Sequence, residues 1–489
     1  MKLKKLLNGI DGVELPECFA ALSVESISCD SRDIQKNSLF VAVKGPISDG
    51  ADFVVSAISK GAKIIAKEKG RGDTDDFANK DVCILIVKDS KKFLRDVLMR
   101  FYGDPSQKVR TIGITGTNGK TTISYLFESI LRQAGKKCTV IGTVNYRLGG
   151  KVIPSKNTTP GIVDNQRYLS EMAREGIDYC VMEVSSHALD QGRVDAIDFK
   201  VGVFTNLTGD HLDYHKTMEE YFTAKALLFS RLSKDSCAVI NIDDEYGVRL
   251  LPMTRANSIT YALNHKADVT AENIVLNFSQ TAFTLKTPQG RIPIQTKLIG
   301  RHNIYNILSA AAGCFGEGIS LEGIRDGIEN LSVVPGRLEQ VVCGQDFNVF
   351  VDYAHTEDAL KNVLTNLRAV SKAKIIVVFG CGGDRDKTKR PKMGRVAGRL
   401  ADWCILTSDN PRSEDPQSIL EQVTSGFQER NYEVISDREA AIKKALISAK
   451  KGDIVLIAGK GHETYQIFKD KTIDFDDREV VRNFFSCLR

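Results

Sequence analysis

The stretch GITGTNGKTT, from Gly113 to Thr122, has the composition of a loop that binds phosphate groups. Glycines let the backbone approach an anion, and the N–H groups at the start of a following helix point towards it. Lys120 would reach the outer phosphates of a nucleotide, and the Thr121 hydroxyl would coordinate Mg2+. The generic pattern G-x-x-x-x-G-K-[ST] requires glycine where this chain has Ile114. The sequence therefore predicts a nucleotide site of variant pattern, with a tight strand–helix turn as the alternative.

Two further polar loops follow apolar strands. The run VMEVSSH ends a strand with Glu183, which could hold Mg2+ beside phosphate oxygens. A buried carboxylate paired with an arginine is the alternative. The run VFTNLTGDHLDYH exposes several polar side chains in one loop. We expect His211 to be the second metal ligand there, whereas His215 could be structural.

Lys225 lies in the helical run YFTAKALLF. At spacings of three and four residues it shares a helix face with Tyr221, Phe222, Leu228 and Phe229. Burial would lower its pKa and free the amine for chemistry. From the pattern alone, a side chain that extends to water is the favoured alternative.

Three polar loops follow strands near the C-terminal end of the sequence. They are Gly380–Gly394, Thr407–Arg412 and Ala458–Tyr465. The first is rich in glycine and then basic, which suits an anion site or a solvated charge run. Because the carboxyl ends of parallel strands share one sheet edge, we expect a common cleft.

These loops require alternating strands and helices to position them. The periodicity predicts an α/β fold of three domains. They are a small α/β N-terminal domain over residues 1–104, a central P-loop-type parallel-sheet ATPase domain over 105–334, and a C-terminal Rossmann-like domain over 335–489. Residues 258 to 299 are predicted to form hairpin strands.

Composition excludes several classes of function. The net charge of +5 comes without arginine-rich or aromatic–basic modules, so nucleic acid is not an expected partner. The sequence contains no run of about 18 uncharged apolar residues, so we expect no membrane span. The 11 cysteines show no C-x-x-C spacing, and scattered thiols suit a reducing cytoplasm. We expect a cytoplasmic monomer.

Taken together, these motifs resemble those of the Mur ligase family over nearly the whole chain. TGTNGKTT, EVSSH, NLTGDHLDYH, YFTAKALLF, PGRLE, DYAHT, GCGGDRDKTKRP, DNPR and GKGHE occur in the family's order. The resemblance implies an ATP- and Mg2+-dependent amide ligase of peptidoglycan precursor synthesis. It would phosphorylate the D-glutamate carboxylate of UDP-MurNAc-L-Ala-D-Glu and then add meso-diaminopimelate.

The resemblance also implies roles for individual residues. Lys120, Glu183, His211 and Lys225 would be catalytic, with Lys225 carbamylated. Thr121, Glu183, His211 and the Lys225 carbamate would be metal ligands. The ATP-binding residues would be Gly116, Thr117, Asn118, Gly119, Lys120, Thr121, Thr122, Asn303, Arg337 and Asp352. The UDP-substrate would contact Ser31, Asn157, Thr158, Thr159, Ser185, Gln191 and Arg193. Diaminopimelate would contact Arg390, Asp409, Asn410, Pro411, Arg412, Gly459 and Glu463.

The sequence departs from the family pattern in three places. His302 stands where this subfamily often has phenylalanine, and Glu357 where proline is usual. The loop at residues 45–50 matches poorly, which leaves its sugar contacts open. A lysine-adding ligase of the same family, a folylpolyglutamate synthase-like ligase and a P-loop nucleotide switch are the alternatives. Arg412 favours the diaminopimelate-adding subtype, because its guanidinium can grip a second carboxylate.

Overall fold

The computed structural model describes residues 1–45, 48–70, 82–148, 150–278 and 280–487. Residues 46 and 47 of the loop at 45–50 therefore lie outside the described residues. The chain divides into two compact units. The first contains Met1–Gly113, Lys136–Gly202 and Ser230–Ser236, and the second contains Ile114–Gly135, Val203–Phe229 and Cys237–Arg489.

A parallel sheet of four short strands lies near the N-terminus. The strands are β1 (Ser26–Ser28), β2 (Ser38–Val41), β3 (Ala62–Glu68) and β4 (Cys83–Val87). They pair in the order β1-β2-β3-β4. Helices α1 (Leu3–Leu7), α2 (Val54–Ser59) and α3 (Ser90–Tyr102) accompany this sheet. The Asp89 side chain caps α3 by accepting from the Lys92 N–H, and Gly103 ends it in the left-handed conformation.

An eight-stranded sheet follows. Its strands are β5 (Arg110–Thr115), β6 (Cys138–Ile141), β7 (Asn145–Leu148), β8 (Lys151–Pro154), β9 (Tyr179–Glu183), β10 (Phe199–Phe204), β11 (Cys237–Asn241) and β12 (Asn257–Tyr261). Their order is β12-β11-β10-β5-β9-β6-β7-β8. β6 is parallel to β9, as predicted. β12 is parallel to β11, which corrects the prediction that hairpin strands begin at residue 258. The antiparallel β7 and β8, which end the sheet, were not predicted.

The helices of this region are α4 (Lys120–Gln133), α5 (Ile162–Arg174), α6 (Ser186–Asp190), α7 (Leu212–His215), α8 (Met218–Ser230) and α9 (Glu245–Leu250). The predicted hairpins form an antiparallel sheet of β13 (Thr270–Leu276), β14 (Thr281–Thr287) and β15 (Gly290–Thr296). Helices α10 (Arg301–Gly316) and α11 (Leu321–Asn330) follow it.

The last large sheet has six strands. They are β16 (Glu339–Gln340), β17 (Asn348–Asp352), β18 (Ile375–Phe379), β19 (Trp403–Leu406), β20 (Tyr432–Val434) and β21 (Ile454–Ala458). They pair in the order β16-β17-β21-β18-β19-β20, and all but the edge strand β16 are parallel. The register places Asp352 beside Ala458 and Phe379 beside Leu406. The loops that follow these strands therefore start at one sheet edge.

Helices cover both faces of this sheet, which explains its continuous apolar strands. Helices α12 (Glu357–Val370), α13 (Lys389–Leu400) and α14 (Pro416–Thr424) contribute to one core cluster, and α15 (Arg438–Ser448) and α16 (Asp477–Ser486) contribute to the other. A small hairpin of β22 (Tyr465–Ile467) and β23 (Thr472–Asp474) precedes α16. In the described part of the chain, no helix is long and apolar enough to cross a bilayer.

Candidate active site

The phosphate loop between β5 and α4 has a backbone that only glycine accommodates at two positions. Gly116 and Gly119 have φ angles of 141° and 92°. A Cβ atom at Gly116 would lie 1.8 Å from Thr205 Oγ1, and one at Gly119 would lie 2.4 Å from Asn306 Oδ1. The loop is thus packed closely against its neighbours and opens directly onto the start of α4.

Both side chains predicted to bind phosphate and metal are held by protein groups. Lys120 Nζ donates to the carbonyl oxygens of Gly116 and Thr117, at 2.9 and 2.8 Å. Thr121 is buried, and its Oγ1 accepts from Arg337 Nη2 at 3.0 Å. Arg337 therefore reaches the residue that follows Lys120, while its contact with ATP stays a prediction.

A cavity of about 510 Å3 lies beside this loop within the second unit. This volume falls within the range of about 300–1,000 Å3 that is usual for small-molecule sites. Its lining combines residues of the phosphate loop and the start of α4 with polar side chains from several other segments, namely Asn118, Gly119, Thr122, Asn206, Asp243, His302, Asn306, Arg337, Asp352 and Asp358. It is the candidate nucleotide pocket.

Two predicted ATP-binding residues differ in how they relate to this cavity. Asp352 lines it, and its carboxylate accepts from the backbone N–H groups of Leu338 and Ala354 at 2.6 and 2.8 Å. Burial raises the pKa of Asp352, although Arg337 opposes the shift. Asn303 is buried behind the cavity wall, where its Oδ1 accepts from Asn306 Nδ2 at 2.9 Å. Asn306, which the sequence analysis did not single out, is the side chain that lines the cavity.

Lys225 lies inside the protein, with a side chain that is 1% exposed. Its Nζ donates to the Gly116 carbonyl oxygen at 2.9 Å and lies 4.5 Å from the centre of the Tyr221 ring. Burial, and then the nearby charge of Lys120, lower the pKa of Lys225 well below its ordinary value. The alternative in which this side chain extends to water is therefore wrong. A neutral amine beside the phosphate loop is the form that can react with CO2.

The loop after β10 carries Asp210 and His211, and the charge of Asp210 acts on the Lys225 amine. His211 has a left-handed backbone (φ 55°), and its Nε2 lies 3.5 Å from Asp210 Oδ2. Burial alone would raise the pKa of Asp210, but His211, His355 and Lys389 together lower it. His215 is buried against the Tyr221 ring, with centroids 5.2 Å apart, which fits the structural role considered for it.

Glu183 ends β9 in the first unit with its side chain buried. Its Oε1 accepts from the Thr143 N–H and its Oε2 from Thr143 Oγ1, both at 2.9 Å. The Thr143 hydroxyl also lies 3.1 Å from Thr158 Oγ1. Thr143 follows β6 and was missed, because a single threonine in a short loop carries no distinctive pattern.

Several of the residues predicted to bind the UDP-substrate are joined by hydrogen bonds in the first unit, whereas Ser31 makes a separate contact. Thr159 Oγ1 donates to the Glu183 carbonyl oxygen at 2.8 Å and accepts from the Ser185 N–H at 3.0 Å. Arg193 donates to Gln191 Oε1 and to the Thr159 carbonyl oxygen. The Asn157 carbonyl oxygen accepts from the Tyr146 hydroxyl. Ser31 starts a short 3-10 helix after β1, and its carbonyl oxygen accepts from Lys60 Nζ at 3.0 Å.

In helix α13, Arg390 is a buried ion-pair partner. Its side chain is 0% exposed, and both Nη atoms donate to the Glu414 carboxylate at 2.9 Å. It also donates to Gln422 and to the Gly382 carbonyl oxygen. Bonding to Arg390 lowers the pKa of Glu414 to about 2. This geometry places Arg390 behind the glycine-rich loop, so it differs from the ligand contact predicted for it.

The DNPR and GKGHE loops are joined by polar side chains. Asn410 Nδ2 donates to Glu463 Oε2 at 2.9 Å, and Asn410 Oδ1 accepts from Lys460 Nζ at 3.2 Å. Lys460 in turn lies 3.1 Å from Glu463 Oε2. Gly459 has a φ of 111°, and a Cβ there would lie 2.7 Å from Asp409 Oδ2. The expected convergence of strand-end loops is therefore present in this domain.

Arg412 lies over the glycine-rich loop that follows β18. Its Nη1 donates to the Gly383 carbonyl oxygen at 2.7 Å, and its backbone is left-handed (φ 52°). The preceding Pro411 is buried. A Cβ at Gly382 would lie 2.9 Å from Arg412 Nη1 and 4.0 Å from Arg385 Cγ. Two exposed or partly exposed arginines thus flank Gly382, and Arg385 was missed because it lies within a run of charged residues.

The described residues contain no group of three or more His, Cys, Asp or Glu side chains placed to hold a metal ion. Mg2+ does not require one, since it is commonly bound by one or two carboxylates together with water and substrate phosphates. Thr121 and the Asp210–His211 pair offer oxygen and nitrogen donors in the second unit, and Glu183 offers a carboxylate in the first. The oxygen donors of this set fit Mg2+, which prefers oxygen ligands.

The fold and these loops define an α/β enzyme with a loop of the phosphate-binding type and a separate group of polar strand-end loops. The chain matches three family descriptions: "Mur ligase family, catalytic domain" over residues 23–102, "Mur ligase middle domain" over 114–314, and "Mur ligase, glutamate ligase domain" over 336–461. The chain belongs to the Mur ligase family. The predicted three-domain α/β fold is thereby confirmed, while the boundaries at 104 and 334 stay predictions.

Relatives with similar sequences cover the whole chain. A protein named UDP-N-acetylmuramoyl-L-alanyl-D-glutamate--2,6-diaminopimelate ligase from Clostridium tetani is 44% identical, with 100% of both chains covered. One of the same name from Geobacillus thermodenitrificans is 46% identical, with 99% of each covered. A solved structure of a ligase with that name has a TM-score of 0.70 and 32% identity, and the match covers 100% of this chain and 99% of that one.

Proposed function

We propose that this protein uses ATP to join meso-diaminopimelate to the D-glutamate carboxylate of UDP-MurNAc-L-Ala-D-Glu, a step of peptidoglycan precursor synthesis. The observation that carries the proposal is the meeting of polar strand-end loops around Gly382. Arg412 and Arg385 flank this glycine, and Asn410 and Glu463 are joined by a hydrogen bond between the neighbouring loops. Charged and polar groups arranged in this way suit an amino acid that carries charge at both ends.

On the nucleotide side, the chain's own groups supply binding and charge. Lys120 would turn from the carbonyl oxygens of Gly116 and Thr117 towards the outer phosphates of ATP. Arg337 lies within reach of Thr121, so it would contact nucleotide at the same place. Mg2+, when bound, would offset the repulsion between the triphosphate and the substrate carboxylate.

The chemistry follows from the poor reactivity of a carboxylate. Transfer of the γ-phosphoryl group to a carboxylate oxygen gives an acyl phosphate and ADP. The amine of the incoming amino acid then attacks the acyl carbon, the C–O bond to phosphate breaks, and the amine loses a proton. These steps need positioning and electrostatic support more than covalent help from the protein.

Selectivity for diaminopimelate would come from its distal carboxylate, which L-lysine lacks. A guanidinium binds a carboxylate through two parallel hydrogen bonds, so Arg412 and Arg385 are the groups we assign to the amino acid. Arg390 would position the Gly382 loop rather than touch the ligand, because Glu414 occupies its donors. We assign ATP-binding to Asn306, supported from behind by Asn303.

Several assignments stay predictions from the sequence. They are the metal roles of Thr121, Glu183 and His211, the carbamate on Lys225, and the UDP-substrate contacts of Ser31, Asn157, Thr158, Thr159, Ser185, Gln191 and Arg193. A monomeric state and a cytoplasmic location also stay predictions. The eleven free cysteines are consistent with that location.

A phosphate-release assay with a panel of amino acids tests the proposal. Phosphate should be released from ATP only when UDP-MurNAc-L-Ala-D-Glu and meso-diaminopimelate are both present. Equal turnover with L-lysine would instead support the lysine-adding subtype. Release that needs a macromolecule and no amino acid would support a nucleotide switch.

A further inference from the structure

Asp358 lies in the first turn of α12, two residues after the helix N-cap Thr356. Its Oδ2 accepts three hydrogen bonds. The donors are Asn118 Nδ2 at 2.8 Å, Thr208 Oγ1 at 2.9 Å and Asn362 Nδ2 at 3.1 Å. Asn362 belongs to the same helix, whereas Asn118 and Thr208 are more than 100 residues distant in the sequence.

The two distant donors belong to the two loops that carry the chemistry. Asn118 is part of the phosphate loop, and Thr208 lies two residues before Asp210 in the loop that carries His211. The Thr208 N–H also donates to Thr117 Oγ1 at 3.0 Å, and the Asn118 N–H donates to Asn206 Oδ1 at 2.9 Å. One carboxylate from the C-terminal domain therefore bonds to both loops at a point where they are already joined.

The charge of Asp358 makes this contact specific. A carboxylate is favoured at a helix N-terminus and accepts stronger hydrogen bonds than a neutral group. However, Asp358 also lines the candidate nucleotide pocket, where a negative charge would repel a triphosphate. If this carboxylate only stabilised the N-terminus of α12, it could lie on the exposed side of the same turn. Its position against Asn118 and Thr208 instead indicates that it serves the contact between domains.

We propose that Asp358 is a positioning residue, a latch that holds α12 and its domain against the phosphate loop and the His211 loop while the ligase site is assembled. Arg337, which bonds to Thr121, forms a separate contact between the same two domains. Asp358 would thereby hold the proposed amino-acid-binding loops in position relative to the phosphate loop. The kinetic part of this proposal rests on the proposed function, but the structural part does not.

Three variants and one control test the latch. Asp358→Ala removes the acceptor, and Asp358→Asn keeps an oxygen that can accept from the same donors. Glu357→Ala is the matched control, because Glu357 lies in the same turn and its side chain makes no hydrogen bond or ion pair within the described parts of the chain. Thr208→Val removes one donor, alone and together with Asp358→Ala. Thermal unfolding of each variant checks that it is folded.

Two readouts are measured for the full-length protein. Steady-state kinetics give kcat and KM for ATP and for meso-diaminopimelate. Small-angle X-ray scattering with Mg2+ and a non-hydrolysable ATP analogue gives the radius of gyration. For Asp358→Ala we expect kcat/KM for both substrates to fall about 10- to 100-fold, as the loss of two hydrogen bonds to a charged acceptor implies, and the radius of gyration to exceed that of the wild type.

Asp358→Asn should recover most of the activity and the compact scattering curve, and Thr208→Val combined with Asp358→Ala should be less than additive. The proposal is overturned if Asp358→Ala matches Glu357→Ala in kinetics and in scattering. It is also overturned if the two substitutions are fully additive. If even the wild type releases no phosphate with these substrates, the proposed function fails, and scattering alone decides whether the latch exists.

Discussion

The ammonium groups of Lys120 and Lys225 donate to the same acceptor, the carbonyl oxygen of Gly116, each at 2.9 Å. Two cations at one carbonyl repel each other, and the buried one of the pair, Lys225, has its pKa lowered. Either a neutral Lys225 amine or a carbamate on it would relieve this repulsion. The carbamate would also add a negative charge beside the phosphate loop.

Lys225→Ala should be nearly inactive and partly rescued by short carboxylates such as formate or acetate. The rescue is expected because a small carboxylate can enter the space of the missing side chain and supply the negative charge of the carbamate. Phosphate release is measured over a range of carboxylate concentrations, with matched chloride as the salt control. Full activity of the variant without added carboxylate would show that the modification is dispensable.

Lys225→Met should stabilise the protein while it abolishes activity. The unfolded chain binds a proton at Lys225 below its ordinary pKa of 10.5, whereas the folded chain does so only at a lower pH. The stability of the wild type therefore decreases as pH falls from 10.5 towards the lower pKa of the folded chain. The methionine variant has no ionisable group at this position, so its stability does not decrease for this reason. The gain in melting temperature should be larger at pH 7 than at pH 9. The exposed Lys234→Met serves as the control and should show no such pH trend.

The sequence predicted most elements of the fold, because period-2 and period-3.6 patterns report which faces are buried. It favoured an exposed Lys225 ammonium, but the exposed side of α8 carries Glu219, Glu220, Thr223 and Ser230, and Lys225 lies on the opposite, buried side. A lysine on an apolar helix face can extend to water unless other elements cover that face, and the pattern of one helix does not show what covers it. The sequence also assigned Arg390 to the ligand, although that side chain lies behind the loop. Which arginine of a basic run points inward depends on a partner 24 residues away, Glu414, and no local pattern encodes that distance.

Alanine substitutions of Arg412, Arg385 and Arg390 should have different effects on substrate binding and stability. Arg412→Ala and Arg385→Ala should raise KM for meso-diaminopimelate at least tenfold, the factor that corresponds to about 1.4 kcal/mol, with little change in KM for ATP or in melting temperature. Arg390→Ala should lower the melting temperature, because it leaves the Glu414 carboxylate without its main partner. An Arg385 variant with unchanged KM for the amino acid would contradict its assignment to the cleft.

The Arg390–Glu414 pair should give a defined pH dependence. The pKa of Glu414 is lowered from 4.5 to about 2, so its contribution to stability is complete above pH 4.5 and is lost as pH falls towards 2. Glu414→Gln should therefore be less stable than the wild type at pH 7, and the difference should shrink below pH 4.5. Urea unfolding at several pH values measures it. Glu421→Gln, an exposed change on α14, is the control; an equal pH trend there would contradict the assignment.

Thr143 should prove necessary for activity although no sequence pattern marks it. Its N–H and hydroxyl both donate to Glu183, and its hydroxyl also contacts Thr158, so it fixes a buried carboxylate beside a predicted substrate residue. Thr143→Val keeps the shape and the N–H but removes the hydroxyl, and we expect kcat/KM to fall about tenfold, as the loss of one hydrogen bond to a charged group implies. Thr143→Ser restores the hydroxyl and should recover the activity.

If Glu183 binds Mg2+, the valine variant should also need a higher Mg2+ concentration for half-maximal rate. An unchanged Mg2+ requirement together with unchanged kcat/KM would show that Glu183 needs no support from Thr143.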